Sequence, residues 1–298
     1  MVKNVIFVII VTYNGIKWID KCLSSLISST IKLNIVVVDN QSGDNTVTHI
    51  QDNFPEIQLI RNSNNGGFGQ ANNIGLKYAI ENQADYIFLL NQDAWVEPDT
   101  IEKLIIEQQN NPEFWIISPI QKHSLYNCIE NQFNKYLQKN KINLEKDGIQ
   151  NVYFVNAATW LMSKQCIEIV GGFDSELFPH YGEDNDYINR IHYWNAKVGV
   201  CTNIIGYHDR EVSQNSIKKQ IYKTTLGITG QLKNINNSLF GNILVGFKNL
   251  FVKSLKFSVK FNFKALYIHH ISFWKSLNNI KMIQQSRKKS FIKGAFLK

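Results

Sequence analysis

Acidic residues disappear from this chain after Glu211: from Val212 to Lys298 there are 16 lysines and arginines and not one aspartate or glutamate. The remaining 16 basic residues share residues 1–211 with all 24 acids, a net of −8, so an acidic body carries a basic tail and a boundary is expected near residue 212. Cysteine is equally sparse. Cys22, Cys128, Cys166 and Cys201 are scattered, and no pair has metal-ligand or redox spacing. That excludes a disulfide scaffold or a structural zinc site and fits reduced thiols in a cytoplasm. No apolar run is long enough to span a bilayer. The apolar start Val5–Val11 runs into Thr12-Tyr13-Asn14 without a small-residue cleavage site, so no signal peptide is expected. With 44% hydrophobic residues in 298, the chain has ample material for a core.

Continuous apolar runs mark strands buried on both faces: Val5–Val11, Ile35–Val38 and Tyr86–Leu90, with Ile57–Ile60 as a further strand. Helical patterns follow at Ile16 to about Ser29, 45–53, about 70–81 and 98–109. This alternation predicts a doubly wound, mostly parallel α/β sheet. Further on, strands are expected near Trp115–Ser118, over Val152–Met162 and over Val198–Tyr207. Ser163 should cap a short helix that Gly171-Gly172 breaks, and Asp184–Trp194 should form another. The pattern over 121–150 assigns no element.

Three of the predicted strands end in polar residues: Thr12-Tyr13-Asn14, Asp39-Asn40 and Asn91-Gln92-Asp93. Each alone reads equally as a turn cap. Strand ends of one parallel sheet gather at one edge, where ligands bind, so together they favour a site. Asp93 would bring a carboxylate there, suited to a hard cation bridging to phosphate oxygens. Asp39 could accept hydrogen bonds from a base or ribose. The segment Asn65-Gly66-Gly67-Phe68-Gly69, with Asn72 beyond it, joins glycines to a helix start that favours an anion, although its spacing is neither a Rossmann fingerprint nor a P-loop.

Gly171-Gly172-Phe173-Asp174 and Tyr181-Gly182-Glu183-Asp184-Asn185-Asp186 place carboxylates at a helix start among aromatics. They can be dipole-stabilised surface acids or a general base in a partly dry site. Arg190 is positioned to steady one acid, and His208, if it faces Asp93, completes a mixed nitrogen and oxygen metal site.

These motifs, in this order over roughly residues 3–210, resemble the family 2 glycosyltransferases of GT-A fold, nearest the bacterial rhamnosyl- and galactofuranosyltransferases of surface polysaccharides. The resemblance implies an inverting glycosyltransferase using a UDP- or dTDP-sugar and Mn2+ or Mg2+. Its catalytic residues would be Asp184, as base, and Glu183. The donor pocket would comprise Thr12, Tyr13, Asn14, Asp39, Asn65, Gly67, Asn72, Asn91 and Gln92, with Asp93 and His208 as metal ligands. Asn91 stands where many relatives carry Asp, which removes one charge from the cation site. The competing readings are a non-catalytic nucleotide-sugar-binding protein and a sugar-nucleotide nucleotidyltransferase. The latter would carry a basic glycine-rich loop near the first strand, absent from Val11–Lys17.

Residues 212–298 are expected to be mainly helical. From Phe247 to Tyr267, Lys253, Lys256, Lys260 and Lys264 fall on one side of a helix, with Leu250, Phe251, Leu255, Val259 and Phe261 around the rest. Such a helix suits an anionic membrane surface, here the inner face of the cell membrane, which a lipid-linked acceptor would share. The acidic body argues against nucleic acid, and self-association is left open.

Overall fold

A computed structural model describes residues 4–126, 128–210 and 216–297. The boundary expected at 211 and 212 lies outside the described residues. In chain order the body begins β1 (Ile6–Thr12), α1 (Ile19–Ile27), β2 (Asn34–Asp39), α2 (Thr46–Asn53), β3 (Gln58–Arg61), α3 (Gly67–Glu81) and β4 (Tyr86–Asn91). It continues through β5 (Ala94–Val96), α4 (Thr100–Asn110), β6 (Phe114–His123), β7 (Cys128–Ile129), α5 (Asn131–Lys139) and β8 (Ile149–Asn151). It closes with β9 (Thr159–Ser163), α6 (Lys164–Val170), α7 (Glu183–Tyr193) and β10 (Lys197–His208). The tail is helical: α8 (Ile217–Lys233), α9 (Leu239–Val259), α10 (Phe263–Asn278) and α11 (Ile280–Ser290).

The strands form one sheet in the order β3-β2-β1-β4-β9-β6-β10-β5, with β7 on β6 and β8 on β10. The expected parallel sheet is present in β3-β2-β1-β4 and again in β6-β10. β9 joins the two blocks and runs antiparallel to both neighbours. Helices cover both faces, which is why strands such as β1 read as unbroken apolar runs rather than alternating ones. Alternate β1 residues serve opposite cores: Phe7 and Ile9 pack with Trp160 and Tyr187, while Ile6, Val8 and Ile10 pack with Leu23 and Leu104.

Several boundaries differ from expectation. α3 begins at Gly67, so the glycine-rich segment is its first turn rather than a loop before it. Val152–Met162 is a strand only from Thr159. The three-residue β5 went unread, because Ala94-Trp95-Val96 is too short for any periodicity to register. The helix expected over Phe247–Tyr267 is two helices, separated at Phe261 by a left-handed backbone (φ +51°). Ser163 caps α6 as expected, its hydroxyl accepting from the Cys166 amide at 3.2 Å.

Candidate active site

The ends of β1, β2 and β4 lie side by side: Thr12 is in register with Asp39, and Val11 with Asn91. Thr12 Oγ1 donates to Asp39 Oδ1 at 3.1 Å, and the Ser42 amide donates to Asp39 Oδ2 at 3.1 Å. Both side chains are buried, so this pair stiffens the strand ends. Asn14 sits in a left-handed conformation (φ +49°), and its Oδ1 accepts from the Gly43 amide at 2.8 Å. Gln92 brackets the Tyr13 backbone, accepting from its amide at 2.9 Å and donating to its carbonyl at 3.2 Å. Asn65 Oδ1 accepts from Asn40 Nδ2 at 2.9 Å and from the Gly67 amide at 3.0 Å. The exposed Tyr13, with the loops held by Asn14 and Asn65, lines the open edge.

Two residues of the glycine segment make contacts within the protein. Gly67 is left-handed (φ +80°), and a Cβ there would collide with the Pro179 carbonyl, so glycine is required by a close approach between two loops of the protein itself. Asn72 is buried, and its Nδ2 donates to the Phe68 carbonyl at 2.9 Å.

Asp93 follows β4, and β5 then turns antiparallel to β10 with Ala94 opposite His208. This hairpin brings together residues 115 positions apart: His208 Nε2 lies 3.4 Å from Asp93 Oδ1, and the Asp209 amide donates to the Asp93 carbonyl at 3.0 Å. The imidazole is held by a buried polar chain that the sequence did not reveal. Gln121 Nε2 donates to Thr159 Oγ1 at 3.0 Å, which leaves its Oε1 facing His208 Nδ1 at 3.3 Å and accepting from Asn156 Nδ2 at 3.2 Å. A proton on Nδ1 therefore satisfies Gln121, and Nε2 is turned to Asp93. Burial pushes the Asp93 carboxyl up, but the hydrogen bond and charge of His208, with the charge of Arg210, outweigh it and hold it below the usual carboxylate range.

A carboxylate oxygen beside an imidazole nitrogen that is oriented from behind fits a divalent cation. Among the described residues no group of three or more His, Cys, Asp or Glu could hold a metal.

The second set of acids opens α7. Tyr181 (φ +75°) and Gly182 (φ +91°) are both left-handed, a strained approach that aims the first helical turn. Asp184 is half-buried, and its Oδ1 accepts from the Asn185 amide at 2.8 Å and Asn185 Nδ2 at 3.1 Å. Burial raises its pKa, against the lowering effect of those bonds and of Arg210. Glu183 is buried with Oε2 unpartnered, and burial followed by the Asp184 charge raises its pKa as well. The charge of Arg210 lowers the pKa of both Asp93 and Asp184.

Arg190 steadies one acid, as expected, and that acid is Asp186. It donates to Asp186 Oδ2 at 3.0 Å and to the carbonyls of Val170 and Gly172 at 2.7 and 2.6 Å. Asp186 also meets Lys233, from the tail, at 2.7 Å, and the same ammonium lies 2.7 Å from Asp174. Ser286 donates to Asp174 as well. All three charged groups of this Lys233 cluster are buried. Its residues brace α7 through Asp186, while Glu183 and Asp184 in the same helical turn make no ion pair among the described residues.

A family model described as glycosyl transferase family 2 matches residues 7–165. A dTDP-rhamnosyl transferase, RfbF, of Shigella flexneri is 28% identical over 206 residues, which span 67% of this chain and 66% of that protein. A low-salt glycan biosynthesis hexosyltransferase, Agl10, of Haloferax volcanii is 25% identical over 226 residues, or 72% of this chain and 71% of that one. Among solved structures, the mannosyltransferase PcManGT of Pyrobaculum calidifontis, in complex with GDP-Man and Mn2+, superposes with a TM-score of 0.61 at 14% identity, covering 95% of this chain and 79% of its own. S. aureus TarS 1–349 in complex with UDP gives 0.58 at 17% identity, covering 95% and 91%. With the strand-end site, the GT-A sheet and these matches together, the chain, which spans 66% of the length of RfbF, belongs to glycosyl transferase family 2.

Proposed function

We propose that this glycosyltransferase transfers a sugar, with inversion, from a UDP- or dTDP-sugar to a hydroxyl of a glycan or lipid-linked acceptor in cell-surface polysaccharide synthesis. The observation that carries the reading is the pairing of Asp93 with His208 at 3.4 Å beside the strand ends, together with the acids Glu183 and Asp184 that open α7. The loops held by Asn14, Asp39, Asn65 and Gln92 would seat the nucleotide, with Asn91 and Tyr13 beside the sugar diphosphate. Asp93 and His208 would hold Mn2+ or Mg2+, and such a cation, when bound, supplies Lewis-acid stabilisation of charge on the diphosphate.

Asp184 removes the proton of the acceptor hydroxyl as that oxygen attacks the anomeric carbon from the face opposite the diphosphate. The new C–O bond forms, the bond to the diphosphate oxygen breaks, and the electron pair leaves with the nucleoside diphosphate. A single displacement inverts the centre. The raised pKa suits a base that must accept a proton in the transition state. Glu183 is buried, and burial with the neighbouring Asp184 charge pushes its carboxyl up to about 8, so it stays protonated near neutral pH and Asp184 is the ionised carboxylate of the pair. The tail, residues 212–298, would rest on the anionic inner surface of the membrane and bring the site to a lipid-linked acceptor.

The test is a screen of nucleotide sugars with Mn2+ by thermal shift, followed by a transfer assay with the donor that stabilises. One stabilising donor, turned over with an inverted product, is the expected result. Stabilisation without turnover by any acceptor would reduce the protein to a binding module.

A further inference from the structure

We infer that the turn joining α9 to α10 is an apolar wedge that inserts into the interfacial layer of an anionic bilayer, with the lysines around it resting on the headgroups. This deepens the membrane reading of the tail and does not depend on which sugar is transferred.

Val259, Phe261 and Phe263 are 77%, 80% and 65% exposed. They occupy the last residue of α9, the left-handed turn residue and the first residue of α10. They touch no core, although the same two helices bury Leu250 and Phe273 against α8 and α11. An apolar strip, broken by the exposed Lys248, runs from this tip along α9 through Leu255, Phe251 and Leu244, each more than half exposed. Soluble proteins rarely leave a strip of this size in water unless something covers it.

The charge around the strip selects the occupant. Lys253, Lys256, Lys260 and Lys264 surround the tip and are exposed, and no acid occurs anywhere from residue 212 onward. A second copy of this face would set lysine against lysine, which like-charge repulsion disfavours. An anionic lipid surface meets both needs, since each lysine near it strengthens binding roughly fivefold and the apolar side chains leave water. Among the described residues no helix is long and apolar enough to cross a membrane, so the hairpin lies on the bilayer rather than through it.

The experiment uses the full chain and vesicle co-sedimentation with phosphatidylserine/phosphatidylcholine against pure phosphatidylcholine. One variant carries Val259→Ser, Phe261→Ser and Phe263→Ser; the other carries Lys256→Gln, Lys260→Gln and Lys264→Gln. All six side chains are exposed, so both variants should keep the parent melting temperature, and this is checked first. The serine variant should lose roughly tenfold or more in affinity for anionic vesicles. The glutamine variant should lose about a hundredfold at low salt. If the serine variant binds like the parent while the glutamine variant does not, insertion is refuted and a purely electrostatic membrane contact stands. If the parent ignores anionic vesicles, both readings fall. If the parent is a dimer that the serine changes dissociate, the strip is an interface between copies and the wedge is refuted.

Discussion

The basic tail handles its charge in two opposite ways. At the α8–α11 end, Lys233 is buried, bonded to Asp174 and Asp186 at 2.7 Å each, with the rings of Phe178 and Phe296 within 5.4 and 4.9 Å. At the α9–α10 end, Lys256, Lys260 and Lys264 stand in water among exposed aromatic and aliphatic groups. The same kind of side chain braces α7 in one place and covers a surface in the other. Net charge cannot separate these roles, whereas burial and the position of the nearest acid do. A buried ion pair that loses one partner leaves an unpaired charge in a poor solvent, and an exposed lysine that is lost leaves only water.

The largest expected effect concerns the front of the helix that Lys233 braces. Asp184→Asn should lower transfer by roughly 10²- to 10⁴-fold, the usual contribution of a general base, while donor binding measured by calorimetry stays intact. Substantial residual activity would remove Asp184 from the role of base and leave the buried lysine bracing an ordinary helix.

Next in size, Lys233→Met should cost about 3–5 kcal/mol of stability, because Asp174 and Asp186 would remain buried without their cation. Lys260→Met should change stability by no more than about 0.5 kcal/mol. Equal melting temperatures for the two variants would erase the contrast. The comparison can be sharpened with acid. Burial pushes the Asp174 carboxyl up, but Lys233 and Ser286 outweigh it and hold its pKa below the ordinary value. A depressed carboxyl contributes stability above its unfolded pKa and loses it as pH falls through the folded value. In Lys233→Met the buried carboxyl gains from protonation, so the stability gap between parent and variant should narrow as pH falls. A gap independent of pH in acid would contradict the pairing.

A smaller effect tests the front of the site. Gln121→Leu removes the partner of His208 Nδ1 and should weaken Mn2+ binding, titrated in the presence of nucleoside diphosphate, by about 10- to 100-fold. Unchanged affinity would mean that His208 is not oriented for a metal. The smallest is a pH limb. Burial raises the Asp184 pKa and the charge of Arg210 lowers it, while the Asp184 charge in turn raises those of Glu183 and Tyr136. Since the Asp184 pKa is raised, kcat/KM should begin to fall, as pH is lowered, above the range of an ordinary aspartate. Arg210→Gln removes a cation that lowers this pKa and should move the limb to higher pH. A limb at the usual aspartate range, or one unmoved by Arg210→Gln, would argue against this electrostatic account.

Much of the fold was legible because its strands are covered on both faces and its helices on one, two patterns that differ in period. β1, β2, β4 and α1 were readable on that basis, and Ser163 was readable as a cap because its hydroxyl has a local partner. β5 was not, since three residues carry no period, although it is β5 that turns Asp93 toward His208. Arg190 was readable in part: helical spacing showed that it would steady one acid, and only its bonds to the Val170 and Gly172 carbonyls select Asp186 among the several within reach. Gln121 had no signal at all, as a buried glutamine in a strand looks like any other until its two neighbours are known.

By itself, then, the sequence determined what depends on residues close together in the chain: the strand runs, the polar strand ends, the acids at the start of α7 and the charge imbalance at residue 212. Tertiary structure decided what depends on partners far apart. It set β9 antiparallel between two parallel blocks, closed Asp93 on His208, drew Lys233 into the body and left Phe261 in water. The physical reason is that backbone pattern and capping are local interactions, whereas the state of a charge or an apolar side chain depends on how much water it keeps, and burial is a property of the whole fold.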